Sequence, residues 1–141
     1  MCGICGYIDI NPSKEVVMQM VHTIKHRGPD AQNAKIYKDC HCALGHARLS
    51  IIDLSEGANQ PMEYRNFSIV FNGEIYNFRE IKDELVQLGH VFTLDSDTEM
   101  ILHAYEQWGD ECVNRFIGMF AFAILDRNKK SISLFRDRVG V

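Results

Sequence analysis

The sequence predicts an α+β fold in which antiparallel sheets stack on each other and helices cover their outer faces. Three observations point there. Short apolar runs of strand type recur along the 141 residues, bounded by Asn, Asp, Gly and Pro. Only two or three segments carry apolar residues at helical spacing. Helices do not alternate regularly with the strands, as they would in a doubly wound parallel sheet.

Taken in order, residues 3–10 read as a strand that ends at the turn Asn11-Pro12. Ser13 is placed to cap a helix over 14–25, with Val16, Val17, Met20, Val21 and Ile24 on its apolar face. His26-Arg27-Gly28-Pro29-Asp30 breaks that pattern and predicts a loop. Short strands are expected near 34–38, 42–46 and 49–53, then a loop over 57–61. Residues 67–71 form a compact strand that should stop at Asn72-Gly73, a turn signal. Asn77 with Glu80 predicts a capped helix up to Leu88, with Ile81, Leu85 and Leu88 inward and Gly89 as its stop. Residues 90–94 suit a strand. Ser96 with Glu99 caps a further helix, whose inward stripe is Met100, Ile101, Ala104, Tyr105 and Trp108 and whose stop is Gly109. A short amphipathic turn near 111–116 precedes a hairpin of 119–125 with 131–136.

Composition narrows the function. Apolar residues make up 46% and charged residues 24%, as in a soluble globular domain. The net charge of -4 lacks the basic excess that non-specific nucleic-acid binding needs. The longest apolar run is seven residues, 119–125, far short of a membrane span. Asp9, Lys14 and Glu15 interrupt any signal-peptide core, and a cytoplasmic location is expected. Five cysteines without a secretory signal argue for free thiols in a reducing compartment. Cys2, Cys5, Cys40 and Cys42 have zinc-like spacing, but Cys5 lies in a strand-like run, where a buried thiol is the plainer reading.

Cys2 stands apart. Removal of Met1 would put a thiol and a free α-amine on one residue. The amine titrates near 7.7–8.0. It can take the thiol proton and later return it, which is how an N-terminal nucleophile works. With Met1 attached there is no such amine.

Several segments together resemble the class II glutamine amidotransferases, whose catalytic domain has the N-terminal nucleophile fold. They are Cys2-Gly3-Ile4-Cys5-Gly6, the 26–30 loop, Gly45-His46-Ala47-Arg48-Leu49-Ser50-Ile51, Asn59-Gln60-Pro61, Phe71-Asn72-Gly73-Glu74-Ile75-Tyr76-Asn77 and Ser96-Asp97-Thr98-Glu99. Gly118-Met119-Phe120-Ala121-Phe122 and Arg136-Asp137-Arg138-Val139-Gly140 complete the set. Their forms are similar to the asparagine synthetase branch. The resemblance implies an αββα architecture and hydrolysis of L-glutamine to glutamate and ammonia through a Cys2 thioester. It assigns Asn72 and Gly73 to the oxyanion. It assigns Arg48 to the substrate α-carboxylate, with backbone groups of Leu49, Ser50, Ile51 and Ile52 lining the same site, Asp97 to its ammonium, and Glu74 to a further polar contact. Arg48 suits that role because a guanidinium forks onto a carboxylate. His26 and His46 are read as structural, and Arg27 and Asp30 as fixing the loop near Cys2.

The resemblance further implies that residues 1–141 are one such domain, incomplete at its C-terminal end and without the synthetase domain. ATP and Mg belong to that absent domain, and no phosphate loop appears here. No metal or organic cofactor is expected in this chain. The expected partners are L-glutamine and a synthetase domain or subunit that receives ammonia, with a homodimer compatible and no membrane or nucleic acid. Two other readings stay open. One is a glutamine-sensing or interaction module that keeps the fold without turnover, and the other is a zinc module built on the four cysteines.

Overall fold

The computed structural model describes residues 2–49 and 59–140. It has four layers. Strands β1 (Gly3–Ile8), β2 (Ala31–Tyr37) and β3 (Cys42–Arg48) form one antiparallel sheet in the order β1-β3-β2. Strands β4 (Met62–Tyr64), β5 (Phe67–Ile75), β6 (Gly118–Asp126) and β7 (Ser131–Arg136) form a second in sequential order. Helix α1 (Lys14–Thr23) covers the first sheet, and α2 (Phe78–Gln87) and α3 (Asp97–Trp108) cover the second.

Strand alternation sorts the side chains between layers. On β3, Leu44 and Cys42 join Val70, Ala123 and Leu125 in the core between the sheets. The other β3 face carries Ala43, Gly45 and Ala47 toward α1. Gly45 has no room for a side chain: a Cβ there would lie 2.4 Å from Val21 Cγ2 and 2.8 Å from Cys5 Sγ. On β5, Ile69, Phe71 and Ile75 face the helices and pack with Phe120, Phe122, Ile81, Leu85, Met100 and Ile101. By the same parity Val70 and Asn72 face the first sheet.

Several expectations change. Ser13 does not cap α1 with its side chain; its backbone N–H donates to Tyr7 Oη at 2.6 Å instead. Asn72-Gly73 is not a turn. β5 continues through it, with Gly73 opposite Phe120. Gly73 has φ of 151°, and a Cβ there would lie 2.1 Å from the Met119 carbonyl oxygen, so glycine serves close strand approach rather than reversal. Asn77 is the α2 N-cap residue, yet its carboxamide bonds Arg115 O and Ile117 N, both at 2.9 Å, and ties α2 to the turn before β6. Leu88 is exposed rather than inward. Residues 90–94 form no strand: Thr93 and Leu94 give their N–H groups to the Glu99 carboxylate at 2.9 and 2.7 Å. The predicted strand over 49–53 lies outside the described residues except for Leu49, which is not in a strand. The α3 cap stands as read, with Ser96 Oγ accepting from Glu99 N, and the last hairpin is β6–β7.

Candidate active site

Cys2 sits immediately before β1. Gly3 pairs with Ala47, so continuing that register sets Cys2 opposite Arg48. The Leu49 N–H points at Cys2 Sγ, 3.4 Å away, and the thiol faces Leu49 O at 3.8 Å. Arg27 Nε donates to Cys2 O at 3.0 Å. The loop carrying Arg27 is pressed onto β3, where a Cβ on Gly28 would lie 2.2 Å from the Ala47 carbonyl. Asp30 N donates to Arg48 O at 3.0 Å. The residues read as fixing the Cys2 loop therefore do so, Arg27 through its side chain and Asp30 at least through its backbone.

Arg48 is buried, and its Nη1 donates to Asn59 Oδ1 at 2.8 Å. That bond brings Asn59 and Gln60 against β5. Gln60 is buried, accepting from Phe71 N at 2.6 Å and donating to Thr98 Oγ1 at 3.4 Å. It links β5 to the first turn of α3.

The edge of β5 opposite β6 becomes decisive here. In an antiparallel ladder, N–H groups of alternate residues leave the same side of the strand. Phe71 N goes to Gln60, and Ile75 N goes to Asp97 Oδ2 at 3.2 Å. Gly73 lies between them with the same parity. Its partner Phe120 turns both backbone groups to Asp137, which accepts from Phe120 N at 3.1 Å and donates to Phe120 O at 2.9 Å. The strand alternation thus sends the Gly73 N–H out at the open edge, between two N–H groups that side chains cap. The carboxamide oxygen of the neighbouring Asn72 is buried without a hydrogen-bond partner among the described residues.

Charge follows burial. Burial raises Asp97 above the ordinary carboxylate range, against the Ile75 and Thr98 N–H groups that stabilise its anion, and the nearby Glu74 charge pushes the same way. His46, two residues before Arg48 on the same β3 face, is buried and lowered to about 4 by that burial, with Arg48 adding to the effect against the Phe71 backbone. It is neutral at physiological pH and sits inside the core, as a structural histidine does.

The structure thus brings Cys2, Arg48 and Leu49 together around the start of β1, and Gly73 and Asp97 along one edge of β5, with Gln60 and Asn59 joining the two groups. Glu74 is exposed beside them. Ser50, Ile51 and Ile52 lie outside the described residues. Asn59 and Gln60 were legible as a motif but not as the link that holds Arg48 and the β5 edge. The cysteine-zinc reading fails on register. Cys5 is opposite Gly45 and Cys42 opposite Ile8, three pairs apart, and among the described residues no group of potential metal ligands includes a cysteine.

Comparison with known proteins agrees with this geometry. The family model for a glutamine amidotransferase domain matches residues 1–141. The chain is 39% identical over 149 residues to asparagine synthetase [glutamine-hydrolyzing] 3 of Bacillus subtilis, covering 100% of this chain and 24% of that protein. It is 40% identical over 147 residues to asparagine synthetase [glutamine-hydrolyzing] 2 of Oryza sativa, again covering all of this chain and 24% of the relative. The chain therefore spans about a quarter of the length of these curated relatives. Among solved structures, the glutamine phosphoribosylpyrophosphate amidotransferase of B. subtilis superposes with a TM-score of 0.54 at 23% identity, over 67% of this chain and 23% of that one. This likeness shows the shared N-terminal nucleophile fold. The chain belongs to the glutamine amidotransferase domain family.

Proposed function

We propose that this chain hydrolyses L-glutamine to glutamate and ammonia, and that the ammonia serves ATP-dependent amide formation by a synthetase domain or subunit, with aspartate or a related acceptor. The observation that carries the reading is the Gly73 N–H at the open edge of β5, set between the capped N–H groups of Phe71 and Ile75. Among the described residues no side chain caps that N–H, and a donor left open suits a charge that appears only during reaction.

The steps follow from the residues. The α-amine of Cys2, once Met1 is removed, takes the thiol proton. The thiolate attacks the side-chain amide carbon of glutamine, and the carbonyl oxygen becomes an oxyanion. Gly73 N–H and the Asn72 carboxamide N–H donate to it; one such donor is worth about 3 kcal/mol of barrier. The Cys2 ammonium returns its proton to the departing nitrogen, and ammonia leaves a γ-glutamyl thioester. Water, activated by the same amine, hydrolyses the thioester and restores the thiol. Arg48, aimed by Asn59, holds the α-carboxylate, and backbone groups of Leu49, Ser50, Ile51 and Ile52 are assigned to the same site by the family resemblance. Asp97 receives the α-ammonium, whose charge offsets the burial that raises this carboxylate, and Glu74 adds a polar contact at the rim. The reaction needs no metal at this site, and its biosynthetic setting is cytoplasmic.

Intact-mass spectrometry after incubation with a diazoketone glutamine analogue tests this. Loss of Met1 plus one adduct, absent in Cys2→Ala, is expected, together with glutamate release from glutamine. Retained Met1 and no adduct would instead support a module that keeps the fold without turnover.

A further inference from the structure

A second cluster of side chains lies along α3, away from Cys2. His103 and Glu106 are six and nine residues past Asp97, roughly 9 and 14 Å down the helix axis. His90 reaches the same place from the α2–α3 connection. His90 Nδ1 and His103 Nδ1 stand 3.0 Å apart, and Glu106 Oε2 is 3.8 Å from His90 Nδ1. One ligand atom from each of the three lies within 4.8 Å of the others.

The outer atoms decide what the inner ones offer. His90 Nε2 is 2.9 Å from Gln107 Oε1, an acceptor, so that nitrogen carries the hydrogen and Nδ1 presents a lone pair. His103 is fully buried, with its ring against Tyr64 and Phe92, and its Nε2 faces Glu99 Oε1 at 4.0 Å. At that distance Nε2 makes no hydrogen bond, so the His103 hydrogen lies on Nδ1 and is given to the His90 Nδ1 lone pair; moving it to Nε2, on the Glu99 side, frees a second lone pair. The hydrogen held between the two Nδ1 atoms marks the position a cation can occupy. Two imidazole nitrogens on one tetrahedral ion, each bound at 2.0–2.1 Å, stand about 3.3 Å apart. The observed spacing needs only a small ring rotation to match. Arg65 pairs with Glu106 Oε1 and leaves Oε2 toward the imidazoles. The outer contacts of His90 with Gln107 and of Glu106 with Arg65 are of the kind that orient histidine and carboxylate ligands around an ion. A cleft of about 500 Å³, lined by Tyr64, Arg65, His90, Glu106 and Gln107 among others, gives access from solvent.

We propose that His90, His103 and Glu106 form a site for one divalent transition-metal ion of the zinc and cobalt class, through two imidazole nitrogens and one carboxylate oxygen. The ion takes the place of the hydrogen between the Nδ1 atoms, which moves to His103 Nε2, so both imidazoles stay neutral. Water completes the fourth position from the cleft. Bound there, the ion fastens the α2–α3 connection to α3. This site is independent of the glutamine chemistry.

The test is titration of the full 141-residue chain with cobalt(II), followed by its visible d–d bands, then competition with zinc(II). One equivalent should bind with tetrahedral-type bands and without a thiolate charge-transfer band in the near ultraviolet. Gln107→Leu should weaken binding by roughly 10- to 100-fold. His90→Gln and Glu106→Gln, each checked by circular dichroism for a native fold, should weaken it further, and Cys2→Ala should leave it unchanged. Absence of saturable cobalt binding, a thiolate band, or undiminished binding by either folded ligand variant would overturn the proposal.

Discussion

His46 offers the sharpest test of how this core is held together. Its side chain is buried, the Phe71 backbone only partly offsets that burial and no hydrogen bond of good geometry joins either ring nitrogen to another described residue, and its proton affinity falls from 6.5 to about 4. Above pH 6.5 the imidazole is neutral in both the folded and unfolded chain, and its contribution to stability is fully present. Between 6.5 and about 4 the unfolded chain takes up a proton that the folded one refuses, so stability is lost as pH falls. The maximum slope is about 1.4 kcal/mol per pH unit, and the whole window amounts to roughly 3 kcal/mol. Urea unfolding at pH 7.5, 6, 5 and 4.5 reads this directly when the wild type is compared with His46→Gln. Other groups also titrate, and Asp97, raised by burial, contributes with the opposite sign, but they are common to both proteins and cancel in the difference. The wild type should lose about 2.5 kcal/mol more than the variant across the series, which stops at pH 4.5, short of the folded-state value. Parallel losses would show that His46 takes up its proton in the folded state and that its burial does not govern the acid limit.

Three further outcomes follow from the β5 edge and its supports. Gly73→Ala places a methyl 2.1 Å from Met119 O at a φ of 151°, and a thermal melt should show at least about 2 kcal/mol of destabilisation. Gln60→Leu leaves the Phe71 N–H unpaired in the core, with a loss of about 1–3 kcal/mol by urea titration. The same change should lower kcat/KM, because the Arg48 anchor at Asn59 is its neighbour. Asp97→Asn removes the proposed ammonium partner, and steady-state glutaminase kinetics should show KM raised roughly 30-fold, or about 2 kcal/mol, with a smaller effect on kcat.

Local pattern showed the helices and the last hairpin because their signals are short-range. Val17 and Val21 recur at helical spacing and are buried, and Ser96 is followed three residues later by the N–H it caps. The sequence misled wherever a local signal was spent on a distant partner. Asn77 looks like an α2 side-chain cap and instead bonds the turn before β6. Residues 90–94 have the apolar content of a strand, but Glu99 takes the N–H groups that a neighbouring strand would need. Asn72-Gly73 reads as a hairpin turn because glycine's freedom says nothing of its use, and here the use is close approach to Met119. Of the site, the motifs brought Cys2, Arg48, Gly73 and Asp97 into view. The supporting roles of Asn59 and Gln60 were not legible, since a polar side chain in a loop has no assigned partner until β5 and α3 are in place.

The missing side chain at Gly45 has a consequence for how this part of the chain can vary. Its place is shared by Val21, Val17 and Cys5, so a larger residue at 45 is compatible only with a smaller one on α1 or β1. Gly45→Ala and Val21→Ala, each damaging alone, should partly restore each other when combined. The double-mutant cycle would then close with a coupling of about 1 kcal/mol or more, as expected for side chains in direct contact. Because β1 leads straight to Cys2, helix packing on one face and the placement of Cys2 on the other change together, and the segments around 5, 21 and 45 vary as one unit.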